Sequence, residues 1–121
     1  TQKLEIFEPH FRRNFVHIRD VVSSFIFAIN NFQKIKNNVF NLGLSSANIT
    51  KFMLAKKIKK EVGDLKIKIV KNAKDPDQRD YFVSNKKIEK AGFKATITLE
   101  TGIKELVKLF KVSDVDFINN Y

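Results

Sequence analysis

Side chains suited to chemistry gather in three stretches. The first is Arg12-Arg13-Asn14-Phe15-Val16-His17-Ile18-Arg19-Asp20. The second is Val39-Phe40-Asn41-Leu42-Gly43. The third is Asp75-Pro76-Asp77-Gln78-Arg79-Asp80-Tyr81, continued by Ser84-Asn85-Lys86-Lys87-Ile88, Ala91-Gly92-Phe93, Leu99-Glu100 and Gly102-Ile103. The guanidinium fork of an arginine can hold two phosphate oxygens at once, though Arg13 taken by itself reads as an arginine on a solvated surface.

Other chemistries are missing from the sequence. No Gly-rich phosphate-cradling loop of either the dinucleotide or the GKS/GKT type occurs, and no Tyr-x-x-x-Lys pair. His10 and His17 lack any ligand-spaced partner that would argue for zinc. There is no G-x-S-x-G nucleophile elbow. Cysteine is absent, which removes disulfides, thiolate nucleophiles and Cys-bound metal.

The elements that would carry these stretches alternate between strand and helix. Leu4 to Phe7 and Phe15 to Ile18 read as short strands, the latter rich in β-formers. Asp20 reads as the N-cap of a helix with Val21, Phe25, Ala28, Ile29 and Phe32 at helical spacing, weakened near its end by Asn30 and Asn31. Val39 to Leu42 is a third strand, closed by Gly43. Thr50 would cap a helix with the stripe Met53, Leu54, Ile58 and Val62, stopped by Gly63. Leu65 to Val70 alternates as a strand with one wet face. A polar loop spans 71 to 80, and Tyr81 to Val83 is briefly extended. Ser84 would cap a short helix ending at Ala91, with Gly92 as its left-handed stop. Thr98 would cap a last helix with Ile103, Leu106, Val107 and Phe110 at i, i+3, i+4 and i+7. The class is α/β or α+β, a small mixed domain of short strands and about four helices over residues 1–110, with a tail at 111–121.

The chain has 121 residues, enough for one domain, and a net charge of +10. Of its 23 basic residues only 4 are Arg, whereas specific readout of bases favours Arg forks. The Lys56 to Lys60 run reads as a solvated helix face, and the Phe residues at helical spacing read as core. His17 reads as a wall residue of its strand. No stretch approaches the roughly 20 apolar residues of a membrane span, and the N-terminus carries no signal pattern, so a cytoplasmic location is expected.

Taken in order and spacing, the three stretches resemble the C-terminal third of the extended short-chain dehydrogenase/reductase family, the NAD-dependent epimerases and dehydratases of the UDP-galactose 4-epimerase type. The family pattern is Arg-Asp-Phe-(Val/Ile)-His/Tyr-Val-x-Asp, then Val-Tyr-Asn-Leu-Gly, an acidic Gly-Asp loop with Tyr four residues later, a Lys-bearing helix, and Leu-Glu-x-Gly-(Ile/Leu). The match covers roughly residues 3 to 110. It implies that Arg13 contacts a nucleotide diphosphate, that Asp77 and Tyr81 are the loop acid and its following Tyr, and that Arg79 faces the sugar or its phosphates. Lys74 stands where many members have another phosphate-binding Arg, Asn14 replaces the usual Asp, and Pro76 the usual Gly.

The resemblance implies a nucleotide-sugar-binding part whose NAD loop and catalytic Tyr-Lys pair lie in an N-terminal Rossmann region outside these residues. NAD would be the cofactor of the full-length enzyme, an isomerase or dehydratase, and this chain alone would bind none. Its partners would be a nucleotide-diphosphate sugar and the Rossmann domain, and the chain alone would expose apolar surface and self-associate. Two other readings compete: a small basic nucleic-acid-binding module, betrayed by steeply salt-dependent DNA binding, and an interaction domain with no ligand.

Overall fold

The computed structural model describes residues 2–71, 74, 76 and 78–112. Strand β1 (Gln2–Ile6) pairs in parallel with β4 (Leu65–Ile69), in the register Gln2↔Leu65 to Ile6↔Ile69. Parallel partners need a long crossover, and here it contains most of the fold. Within it, β2 (Arg12–Asn14) pairs antiparallel with β3 (Asn48–Thr50). Helix α1 (Ile18–Asn30) and the short α2 (Phe32–Ile35) lie between those two strands in sequence. Helix α3 (Lys51–Val62) follows β3 and packs on both β1 and β4. After β4 come α4 (Lys86–Ala91) and α5 (Leu99–Val112), and α5 packs on α3. The fold is thus small and mixed, with five α-helices among the described residues where about four were expected. The fifth is the extra turn α2, beyond the Asn pair: Asn31 ends α1, and its side-chain amide donates to the Phe27 carbonyl at 2.9 Å. Helix α5 continues through 111 and 112, and the remainder of the expected tail lies outside the described residues.

The core is built from small and branched side chains. Leu44, Ala47 and Ala95 form its centre, with Phe15, Val16 and Leu99 packed against them. Ile6 and Leu65 are buried in the β1–β4 sheet, Ala55 in α3 and Ile103 in α5.

Several local signals hold. Thr50 caps α3, its hydroxyl accepting the Met53 N–H at 3.2 Å, and Thr98 accepts the Thr101 N–H at 3.1 Å at the start of α5. Gly92 ends α4 at φ 113, a left-handed conformation costly for residues with a Cβ, and Phe93 then packs on Phe27.

Other readings are corrected. Phe15 to Ile18 is not a strand: the strand is Arg12–Asn14, and α1 starts at Ile18. His17, read as a strand wall, is the N-cap, its Nδ1 accepting the Arg19 N–H at 3.1 Å. Asp20 is therefore not the cap. It lies in the first turn, 4% exposed, and its carboxylate accepts the N–H groups of Thr96 (3.2 Å) and Ile97 (2.9 Å). Val39 to Leu42 forms no strand: among the described residues no segment pairs with it in a ladder, and Val39 is 85% exposed. Tyr81 to Val83 is irregular as well, and Asn85, not Ser84, precedes α4.

The α1 stripe is core only in part: Val21 and Ala28 are half-buried, while Phe25, Ile29 and Phe32 are exposed. Ile18, Val22, Phe25, Ile26, Ile29 and Phe32 are each more than half exposed, with Ile29 at 75%. Their i, i+4, i+7, i+8, i+11 spacing places Ile18 to Ile29 on one helix face. That face has the pattern of a core without a covering layer.

Candidate functional site

Three of the sequence-predicted contacts meet where β2 faces the 79–83 segment. The Arg13 guanidinium lies over the Tyr81 ring, 5.1 Å from its centroid, a cation–π arrangement. Its Nη1 donates to the Arg12 carbonyl at 2.9 Å and to the Arg79 carbonyl. Arg13 therefore neighbours Arg79 and Tyr81, although it stands 66 and 68 positions away from them in sequence. The Arg79 side chain is exposed and Tyr81 is 40% exposed. The site is thus a cationic shelf open to solvent with an aromatic floor.

Asn14 joins the site differently from its neighbours. Its Nδ2 donates to the Leu44 carbonyl at 2.9 Å, and its Oδ1 accepts the Leu44 N–H at 3.1 Å. A Cβ on Gly43 would lie 1.9 Å from that Oδ1, so only glycine lets the backbone come so close. Lys74 is exposed. Asp77 lies outside the described residues.

Side-chain amides hold the shelf together. Asn48, on β3 beside Asn14, exchanges two hydrogen bonds with the Val83 backbone, at 2.9 and 3.0 Å. Asn85 is 2% exposed, with its Nδ2 3.4 Å from the Ser45 hydroxyl, and its Oδ1 has no hydrogen-bond partner among the described residues. These amides replace strand pairing for a segment that has none, because buried backbone polar groups still need partners.

Arg12 and Asp80 were missed by the sequence reading. The Asp80 carboxylate accepts the Arg12 backbone N–H at 2.8 Å, and Nε and Nη2 of the Arg12 fork at 3.1 Å each. The Arg12 guanidinium holds the Asp80 carboxyl below its ordinary range, and Asp80 holds Arg12 above its own. Nothing local announces this pair, since its members stand 68 positions apart.

Elsewhere, Glu105 of α5 meets His17 Nε2 at 3.1 Å and Arg19, tying α5 to the start of α1. Gly102 permits this approach, since a Cβ there would lie 3.2 Å from the His17 ring. The Lys56 to Lys60 face is only partly free: Lys57 pairs with Glu100, and Lys56 lies 4.6 Å from the centre of the Phe52 ring. A cavity of about 780 Å³ between α3, α5 and residues 15–18 is lined mainly by apolar side chains such as Leu54, Ile58, Leu106 and Phe110. It lacks the cations a diphosphate needs, so the shelf at Arg13 is the better candidate. Among the described residues no group of three or more His, Asp or Glu side chains is placed to hold a metal, and no helix is long and apolar enough to cross a membrane.

No family model matches the chain. Among solved structures it is similar to GDP-mannoheptose C4 reductase from Campylobacter jejuni with NADP bound, at 25% identity and a TM-score of 0.75, over 91% of this chain and 35% of that one. A protein called DdhaC is 30% identical with a TM-score of 0.67, over 90% of this chain and 32% of that one. The dTDP-glucose 4,6-dehydratase of Bacillus anthracis, in complex with NAD, shares the fold at 21% identity and a TM-score of 0.70, over 91% and 35%. The chain spans about a third of the length of these structures.

Proposed function

The chain matches the C-terminal region of an extended short-chain dehydrogenase/reductase, and from that premise we propose that it is the substrate-binding part of an NAD(P)-dependent enzyme acting on a nucleotide-diphosphate sugar. The reading is carried by the meeting of Arg13 with Arg79 and Tyr81. Arg13 takes the diphosphate as a fork, since two parallel N–H···O bonds suit a phosphate and the charge assists each. Tyr81 orients the guanidinium from below. Arg79 and Lys74 supply further positive charge, and Asp77 is, by the family resemblance, the loop acid. Asn14 serves indirectly, by holding the Gly43–Leu44 backbone that backs the shelf.

A dinucleotide does not fit the residues present. The four glycines stand singly at 43, 63, 92 and 102, and none opens a helix directly after a strand, as a pyrophosphate-cradling turn requires. No redox step is therefore assigned to these residues. The nicotinamide cofactor belongs to a Rossmann part, and the apolar face of α1 is where that part docks. Closing the two around the sugar would exclude water and strengthen each charge contact.

Calorimetric titration with GDP, UDP and dTDP tests this. Binding that falls about tenfold or more in Arg13→Ala, the scale of a lost charge-assisted bond, is expected. Equal affinity of wild type and Arg13→Ala, or no binding by wild type, would remove the reading.

A further inference from the structure

Residue 80 is a fulcrum. Its carboxylate is gripped by three N–H groups of Arg12, which fixes both its position and its plane. The residue before it gives Arg13 a carbonyl acceptor, and the residue after it gives Arg13 an aromatic face. Two adjacent arginines of β2 thus hold three adjacent residues of a segment that has no regular secondary structure. Arg12 holds the centre of that tripeptide, and Arg13 rests on its two ends.

We propose that Asp80, through its bidentate pair with Arg12, is a positioning residue for Arg13, setting the guanidinium in place before a nucleoside diphosphate arrives. The proposal rests on the reading of the shelf as a diphosphate site. An isolated arginine loses rotamer freedom when a ligand captures it, and that loss opposes binding. Here the orienting contacts exist beforehand, so the loss falls on folding rather than on ligand capture. An ordinary exposed ion pair would steady the 79–81 segment and do nothing to affinity. The two roles separate in experiment, because a positioning residue acts only through the residue that it positions.

A double-mutant cycle read by calorimetry makes the separation. The protein is taken at its encoded length and titrated with GDP, UDP and dTDP, with thermal melts alongside. Asp80→Asn is nearly isosteric at an exposed site. Arg12→Lys, which keeps the charge and loses the fork, is the second variant should the first fold poorly. About a tenfold loss of affinity is expected in Asp80→Asn, with an intermediate loss in Arg12→Lys. Asp80→Asn should cost nothing further in an Arg13→Ala background, since coupled residues are non-additive. Asp80→Asn binding as tightly as wild type, while Arg13→Ala binds weakly, would overturn the positioning role and leave the site reading intact. Additive losses would do the same. Wild type that binds none of the three probes would overturn the site reading, and the positioning role with it.

Discussion

The carboxylate of Asp20 reaches from the first turn of α1 to the backbone N–H groups of Thr96 and Ile97, 76 and 77 positions later. It thereby fixes the segment that carries buried Ala95 and leads into α5. Removing it would leave two amides without their acceptor. Asp20→Ala should destabilise the fold by about 3 kcal/mol, on the scale of hydrogen bonds to charged groups. Urea unfolding of the two proteins checks this, and an unchanged midpoint would show that water replaces the carboxylate without cost.

Gly43 and Asn14 form a second such relationship. A methyl group at position 43 would force the Asn14 amide away from Leu44. Gly43→Ala should cost about 2–3 kcal/mol, as overpacking and a broken buried hydrogen bond do. Pairing it with Asn14→Ala should cost less than the sum of the two single changes, because the clash disappears. Thermal melts of the three variants give the comparison.

Acid should loosen the fold through its exposed carboxylates. Asp80 is held below its ordinary range by Arg12, Glu5 by Lys3 and Lys68, and Glu100 by Lys57. A group with a lowered folded-state pKa stabilises above its unfolded value and loses that contribution as pH falls through the folded one. The window therefore lies below about pH 4. Carbon-detected titration should place the Asp80 carboxyl below the ordinary aspartate range and return it towards that range in Arg12→Ala. A titration that Arg12→Ala leaves unmoved would contradict the ion pair.

The apolar face of α1 predicts association. Expressed alone, residues 1–121 should sediment as dimers or larger species at high concentration, since Ile18, Phe25 and Ile29 are each more than two-thirds exposed on one face. Ile29→Lys should shift the distribution to monomer. A monomeric wild type in sedimentation velocity would count against an uncovered interface.

Legibility in the sequence followed the range of the interaction. Thr50, Thr98 and Gly92 act within a turn or two of their own positions, and their roles were readable. Phe15 to Ile18 misled because its β-formers suggest a strand, while the strand that forms depends on Asn48–Thr50, far along the chain. Val39 to Leu42 has strand composition without a neighbour here to pair with. The Phe25 and Ile29 periodicity correctly signalled an apolar face, but burial needs a second surface, and periodicity is silent about that. At the site, Arg13, Arg79 and Tyr81 stood out through the family resemblance. The Arg12–Asp80 pair stayed hidden because opposite charges at long separation carry no period to detect.

The parallel pairing of β1 with β4 also governs how the chain reaches its native state. Each residue of β1 meets a partner 63 positions away, so the ladder closes only after the intervening loop has been drawn together. Such closure loses much chain entropy before any hydrogen bond compensates, and folding slows as the separation of contacts grows. Strand β1 therefore waits with its backbone open until β4 has been made and brought back beside it.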